Sequence, residues 1–122
     1  MRVKDDEERA PIGTDEGIAV LVVEMVALAT ATPRREMLNA DHRGRAAVHA
    51  RQIAMYLTYI VFQWPLERVG AAFGRDRTTA GHACRQVEDR RDDQGLDDML
   101  DRLEACLRVS PCAPGWQREP RV

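Results

Sequence analysis

The chain has 122 residues, of which 44% are hydrophobic and 31% charged, with a formal net charge of −2. This describes one soluble, folded domain, large enough to bury a core without staples. Only 5% of it is aromatic, the apolar residues are mostly Ala, Val and Leu, and no stretch shows sustained strand alternation with hairpin signals, so an all-α fold is expected. The charge is unevenly spread. Residues 1–33 carry −4, residues 34–91 carry +5 and residues 92–122 carry −3, a basic middle between acidic flanks. Seventeen of the 18 basic residues are arginine, the side chain suited to bidentate contact with phosphate and guanine.

Cys84, Cys106 and Cys112 lack CxxC spacing and histidines placed to complete a zinc site, so free thiols in a reducing cytosol are expected. The start, Met1 to Glu8, has no apolar signal core. Gly17 to Ala31 is strongly apolar, but it is fifteen residues long and carries Glu24, which makes it a core helix and not a membrane span.

In chain order, residues 1–13 are charged and then Pro- and Gly-containing, and are expected to form a disordered acidic leader. A folded domain is expected over 14–109. Thr14 or Asp15 can cap a first helix reaching about Thr30, with Ile18, Leu21, Val22, Met25, Leu28 and Ala29 at helical spacing. After Pro33 a one-turn helix from Arg34 to Asn39 would pack Met37 and Leu38 inward, and Asp41 to Arg45 reads as a short basic loop. A long helix from about Arg45 to Phe62 would bury Ala50, Ile53, Ala54, Leu57, Ile60 and Val61, with Arg51 and Gln52 near its exposed start. Trp64-Pro65 breaks that helix and Pro65 opens the next, Leu66 to Phe73, which Gly74 terminates.

Asp76 is a good N-cap for a helix from Arg77 to about Asp92. Ala80, Ala83, Cys84 and Val87 stand at i, i+3, i+4 and i+7 and should face the core, leaving Thr78, His82 and Arg85 on the opposite side. Gly95 is expected to end it, followed by a last amphipathic helix through Leu96, Met99, Leu100, Leu103 and Leu107 to about Val109. Pro111, Pro114, Gly115 and Pro120 then indicate a flexible tail over 110–122.

A short helix, a Gly-containing corner and a capped second helix rich in Arg, Thr and His at its start is how a helix-turn-helix reads in sequence. The second helix offers its unpaired amides and positive dipole to a phosphate, Arg75, Arg77 and Arg85 add charge, and Thr78 can meet a phosphate or a thymine methyl. Arg43, Arg45 and Arg51 form a second basic element able to lie along the backbone or enter the minor groove. The bland alternative is a solvated charged face. His82 and Cys84, two apart on a helix, point about 200° away from each other and cannot form a catalytic pair. His42 and His49 lack partners at metal-ligand spacing, and no GxxxxGK[ST] loop is present. No enzymatic activity, cofactor, metal, small-molecule substrate or membrane partner is therefore expected. Tyr56, Tyr59 and Trp64 read as core packing rather than as a stacking platform.

The segments Arg51 to Leu57 (RQIAMYL), Leu66 to Gly74 (LERVGAAFG), Arg75 to Thr79 (RDRTT) and His82 to Arg85 (HACR) resemble the C-terminal DNA-binding domain of the bacterial replication initiator DnaA. The resemblance runs from about Ile18 to Leu107. It implies a six-helix, Trp-repressor-like domain that contains a helix-turn-helix and binds double-stranded DNA at DnaA-box-like sites. By position it makes Arg51 the arginine that reaches into the minor groove and Arg43 and Arg45 the basic loop. Arg75, Asp76, Thr78, Thr79 and His82 match the signature that touches bases and phosphates in the major groove. The chain departs from the family pattern in three places: one glycine, Gly74, stands where two are usual, Arg77 replaces a base-reading histidine, and Ala80-Gly81 replaces a bulkier apolar pair. No ATPase module precedes the domain here, so a stand-alone regulator of replication initiation or transcription is expected, cytoplasmic and nucleoid-associated. The acidic flanks leave a second expectation open, a mimic of the initiator's domain that contacts a DnaA-regulating protein.

Overall fold

The computed structural model describes residues 13–39 and 41–110. Apart from Gly13 and Ser110, the leader and tail expected at the two ends lie outside the described residues, as does Cys112. Six helices and no strands occur among the described residues: α1 (Asp15–Thr30), α2 (Arg34–Leu38), α3 (Arg45–Phe62), α4 (Leu66–Ala72), α5 (Arg77–Arg90) and α6 (Gln94–Arg108). The fold is all-α, as the composition required. None of these helices is long and apolar enough to cross a membrane.

Thr14 starts α1 by accepting the Gly17 N–H on its hydroxyl (3.0 Å), and Asp15 and Glu16 follow in the first turn, where negative charge suits the helix dipole. At the other end Ala31 adopts a left-handed backbone, φ 54°. The Thr32 N–H reaches back to the Ala27 carbonyl (3.1 Å) and the Ala31 N–H to that of Leu28 (3.4 Å), a Schellman closure normally built on glycine. Ala31→Gly should therefore stabilise the fold by about 1 kcal/mol, because Cβ makes this conformation costly. Thermal denaturation checks it, and an unchanged or lower midpoint would contradict the strain.

The face of α1 that is buried comprises Ile18, Ala19, Val22, Val23 and Val26. It differs from the stripe expected: Leu21 and Met25 are only partly buried, Ala29 is exposed and Leu28 is 85% exposed. The helix is apolar on nearly every side, so its periodicity does not fix its rotation, and its packing against α3 does. In α2 Met37 is buried while Leu38 is 60% exposed, contrary to the inward packing expected of both. Neighbouring residues on a helix lie about 100° apart, and a single turn can aim only one of them at the core.

Helix α3 is the axis of the domain and packs against all five others. Every residue from Ile53 to Thr58 is buried, and the Thr58 hydroxyl bonds back to the Ala54 carbonyl (2.9 Å). The buried ring of Tyr56 carries its hydroxyl to a polar cluster at the edge of the core. It donates to Glu88 (2.6 Å) and accepts from Arg91 (3.0 Å), and Arg91 also binds Asp97, Asp101 and Glu104. Burial, with the Glu88 carboxylate next to it, pushes the Tyr56 hydroxyl up to about 12. The cluster ties α6 to α3 and α5.

Helix α5 ends at Arg90, and Gly95 lies in the first turn of α6, where its N–H bonds to the capping Asp93 (3.2 Å). Gly95 was expected to stop α5, but Asp93 caps α6 first and claims Gly95 for the following helix. Leu100, Leu103 and Leu107 of α6 are buried, with Leu96 and Met99 packed beside them. Trp64 is 4% exposed, with the Arg68 guanidinium 4.1 Å above its ring, and the same guanidinium holds Asp15 through two bonds of 2.8 and 3.0 Å. That stack joins the start of α1 to α4.

Candidate nucleic-acid interface

The geometry of the interface is set at the corner between α4 and α5. Pro65 precedes α4, and its carbonyl accepts the N–H groups of Arg68 (3.0 Å) and Val69 (3.1 Å). At the far end the Arg75 N–H donates to the Gly70 carbonyl (2.7 Å) and the Gly74 N–H to that of Ala71 (3.2 Å), with Gly74 left-handed at φ 69°. This is a Schellman closure on a true glycine, so the single Gly74 suffices to turn the chain. A second glycine is needed for a different reason. A Cβ on Gly70 would lie 2.7 Å from the Arg75 carbonyl oxygen and 2.9 Å from that of Asp76. Only a bare Cα lets the corner cross α4 this closely.

Asp76 then caps α5, accepting the Thr79 N–H on Oδ1 (2.8 Å). That backbone hydrogen bond is the main cause that holds the Asp76 carboxyl below the usual aspartate range. Because folding depresses this carboxyl, the stability it lends is present above the ordinary aspartate pKa and is lost as pH falls through the depressed value. Asp76→Ala should lower the melting midpoint by a few degrees at neutral pH and by progressively less in acid, whereas Asp76→Asn should keep the cap and lose the pH dependence. Equal losses at all pH values would show that the carboxylate plays no part.

Along α5 the two faces separate as their spacing requires. Ala80, Ala83, Cys84 and Val87 are buried, and burial raises the Cys84 thiol to about 11, which suits a core residue and not a nucleophile. Arg77, Thr78, Thr79, His82 and Arg85 are exposed, as is the capping Asp76, and Arg75 is half-buried at the corner. His82 and Cys84 thus lie on opposite sides of the helix. Arg43 and Arg45 are exposed, Arg43 in the loop before α3 and Arg45 at its first residue. Trp64 and Tyr56 are buried, so only the half-exposed Tyr59 remains of the aromatic trio.

Arg51 departs from its expected exposed position. Its guanidinium turns inward, with Nη1 donating to the carbonyls of Glu36 (3.3 Å), Met37 (3.0 Å) and Asn39 (3.2 Å) and Nη2 to that of His42 (3.2 Å). These carbonyls close α2 and begin the basic loop, where a cation complements the helix dipole. Burial lowers the Arg51 pKa below that of an ordinary arginine, and the nearby charges of Arg75 and Arg43 add to the effect. Three guanidinium groups from α3, the α4–α5 corner and the loop therefore share one neighbourhood. Periodicity could not reveal the carbonyl seat, because its four acceptors lie 9 to 15 residues earlier in the chain.

Ion pairs hold some of the arginines and not others. Arg34, Arg68, Arg91 and Arg108 sit on carboxylates: Glu24, Asp15, the Asp97–Asp101–Glu104 group, and Glu104. Arg43, Arg45, Arg75, Arg77 and Arg85 make no ion pair with any described residue. Arg35 on α2, Arg51 on α3, Arg90 at the end of α5 and Arg102 on α6 also make no ion pair with a described residue, so the five named first are the part of a wider unpaired set that lies on the loop and the α4–α5 unit.

A short α4, a glycine-closed corner and a capped α5 with an unpaired basic face define a helix-turn-helix protein. The chain belongs to the family described as the bacterial DnaA protein helix-turn-helix, whose model matches residues 20–87. It is similar to the chromosomal replication initiator protein DnaA of Symbiobacterium thermophilum, at 31% identity over 94 residues, covering 75% of this chain and 20% of that protein. It is also similar to that of Bartonella quintana, at 40% over 75 residues, covering 60% and 15%. The chain thus spans a fifth or less of the length of these relatives.

Proposed function

We propose that this protein binds double-stranded DNA at DnaA-box-like sites and thereby regulates replication initiation or transcription, on the chromosome in the cytoplasm. The observation that carries the reading is the start of the capped α5, where Arg75, Arg77 and Arg85 make no ion pair with a described residue and stand beside the exposed Thr78, Thr79 and His82. Helix α5 enters the major groove with Thr78, Thr79, His82 and Arg85 forward, and Asp76 holds its first turn in shape. Arg75 and Arg77 flank that turn, where phosphate oxygens meet amides and dipole. Arg43 and Arg45 follow the backbone from the loop. Arg51 enters the minor groove only by exchanging its four carbonyls for DNA acceptors, so the loop and the groove compete for the same guanidinium.

The test is binding of a labelled DnaA-box duplex and a scrambled duplex at two salt concentrations. Each phosphate contact contributes roughly 0.9 to the slope of log K against log salt, and specificity appears as the difference between the duplexes. Arg43→Ala and Arg45→Ala should each weaken both duplexes alike and reduce that slope by about 1. Equal, weak binding of the two duplexes by the parent chain would remove the claim of sequence recognition.

A further inference from the structure

Gly81 occupies the middle of α5, where glycine costs roughly 1 kcal/mol relative to alanine, and its backbone shows no positive φ that would demand it. It is nevertheless buried. A Cβ placed there would lie 3.4 Å from Leu66 Cδ1 and 3.7 Å from Arg85 Nη1. The Arg85 guanidinium therefore covers the bare backbone of Gly81, beside α4, at the mouth of an open groove of about 330 Å³ between α3, α4 and α5. Cβ itself would just fit, but any side chain longer than that would need the volume the guanidinium fills.

The seat changes where the charge acts. A helical side chain leans toward the N-terminus, over the residue four positions earlier, and four residues of rise are about 6 Å. Residue 85 belongs to the third turn of α5, while its guanidinium lies over the second. In a recognition helix the first turns face base edges and later ones diverge toward the backbone. Thr78, Gly81 and Arg85 share one stripe at i, i+3 and i+7, and Arg85 has no ion pair with a described residue to hold it elsewhere.

Resting on the DNA-binding reading above, we propose that Gly81 is a positioning residue that seats Arg85 to read a guanine, with the guanidinium fork on O6 and N7 in the major groove. Arg85 is thereby a specificity-determining residue and not a phosphate contact.

The experiment is selection of bound duplexes from a random pool by the parent chain, Gly81→Leu and Arg85→Lys, with a thermal melt of each. The parent should enrich guanine roughly tenfold or more at one position, and both variants should lose that preference while their other positions stay the same. Arg85→Lys should keep the parent's salt slope, since its charge remains, and it carries the test if Gly81→Leu fails to fold. Survival of the guanine position in Arg85→Lys or in a folded Gly81→Leu would overturn the proposal, as would an Arg85→Lys effect of equal size on selected and scrambled duplexes. A parent chain that enriches nothing would instead remove sequence-specific binding itself, and this inference with it.

Discussion

Gly70→Ala should destabilise the protein by about 2 kcal/mol, lowering the melting midpoint by roughly 10 °C, although alanine is the better helix former. Two effects of opposite sign compete at this position. Filling a helical glycine with alanine gains about 1 kcal/mol in propensity. The added Cβ, however, would meet the carbonyl oxygens of Arg75 and Asp76 at 2.7 and 2.9 Å and the Asp76 carbonyl carbon at 3.0 Å. These are backbone atoms and cannot swing aside like the end of a side chain. The corner must move as a whole, although the Arg75 N–H is bonded to Gly70 itself (2.7 Å) and Asp76 is fixed by its cap. Overpacking of this kind costs about 1–3 kcal/mol, and rigid neighbours place it at the upper end. The same displacement re-aims the first turn of α5, so binding to a box duplex should fall by about tenfold or more. A variant as stable as the parent, or more so, would refute the close-approach account. Arg68→Ala in α4 serves as the comparison, since it removes the Trp64 stack and the Asp15 pair without touching the corner.

The helix-turn-helix was legible in sequence because its determinants are local. Gly74 and Asp76 stand three residues or fewer from the groups they satisfy, and the stripe of Ala80, Ala83, Cys84 and Val87 is bounded by polar residues that fix its rotation. Where a segment lacks such boundaries, the reading slips. Helix α1 is apolar on nearly every side, and its packing, chiefly against α3, decides that Val26 is inside and Leu28 outside. Gly95 was misplaced because a glycine after a helix and a glycine in the first turn of the next have the same local sequence, and the Asp93 cap decides between them. Gly70 was visible only as one letter of a family motif, since its reason lies five residues away in the corner it lets pass. Arg68 stacks on Trp64, which lies outside α4 in the break before Pro65, so no helical spacing points to the pair. Its other partner, Asp15, is 53 residues distant, and no local pattern connects them.

Arg51→Ala should cost about 2 kcal/mol of folding stability, a larger loss than its half-exposed place on α3 would indicate. The side chain joins α3 to the end of α2 and to the loop through four carbonyl oxygens, all within 3.3 Å. Water can reach part of this seat and will replace some of the lost bonds, which keeps the expected cost below that of a fully buried charge-assisted network. Arg51→Lys keeps the charge but not the fork, so it should recover part of the stability while a single ammonium serves fewer carbonyls. Stability separates the two roles open to this arginine. A residue that acts only by reaching into a groove would lower DNA affinity when removed and leave the melting midpoint unchanged. A residue that only organises the loop would lower the midpoint and alter binding through Arg43 and Arg45. The carbonyl seat predicts both effects, because the guanidinium shapes the loop in the free protein and must leave it to enter DNA. The loop would then become looser in the complex, and hydrogen exchange at its amides, including the His42 N–H that bonds to the Asn39 carbonyl (3.0 Å), should speed up on binding a box duplex. Slower exchange there would mean that Arg51 keeps its seat and that the minor groove is met by another side chain.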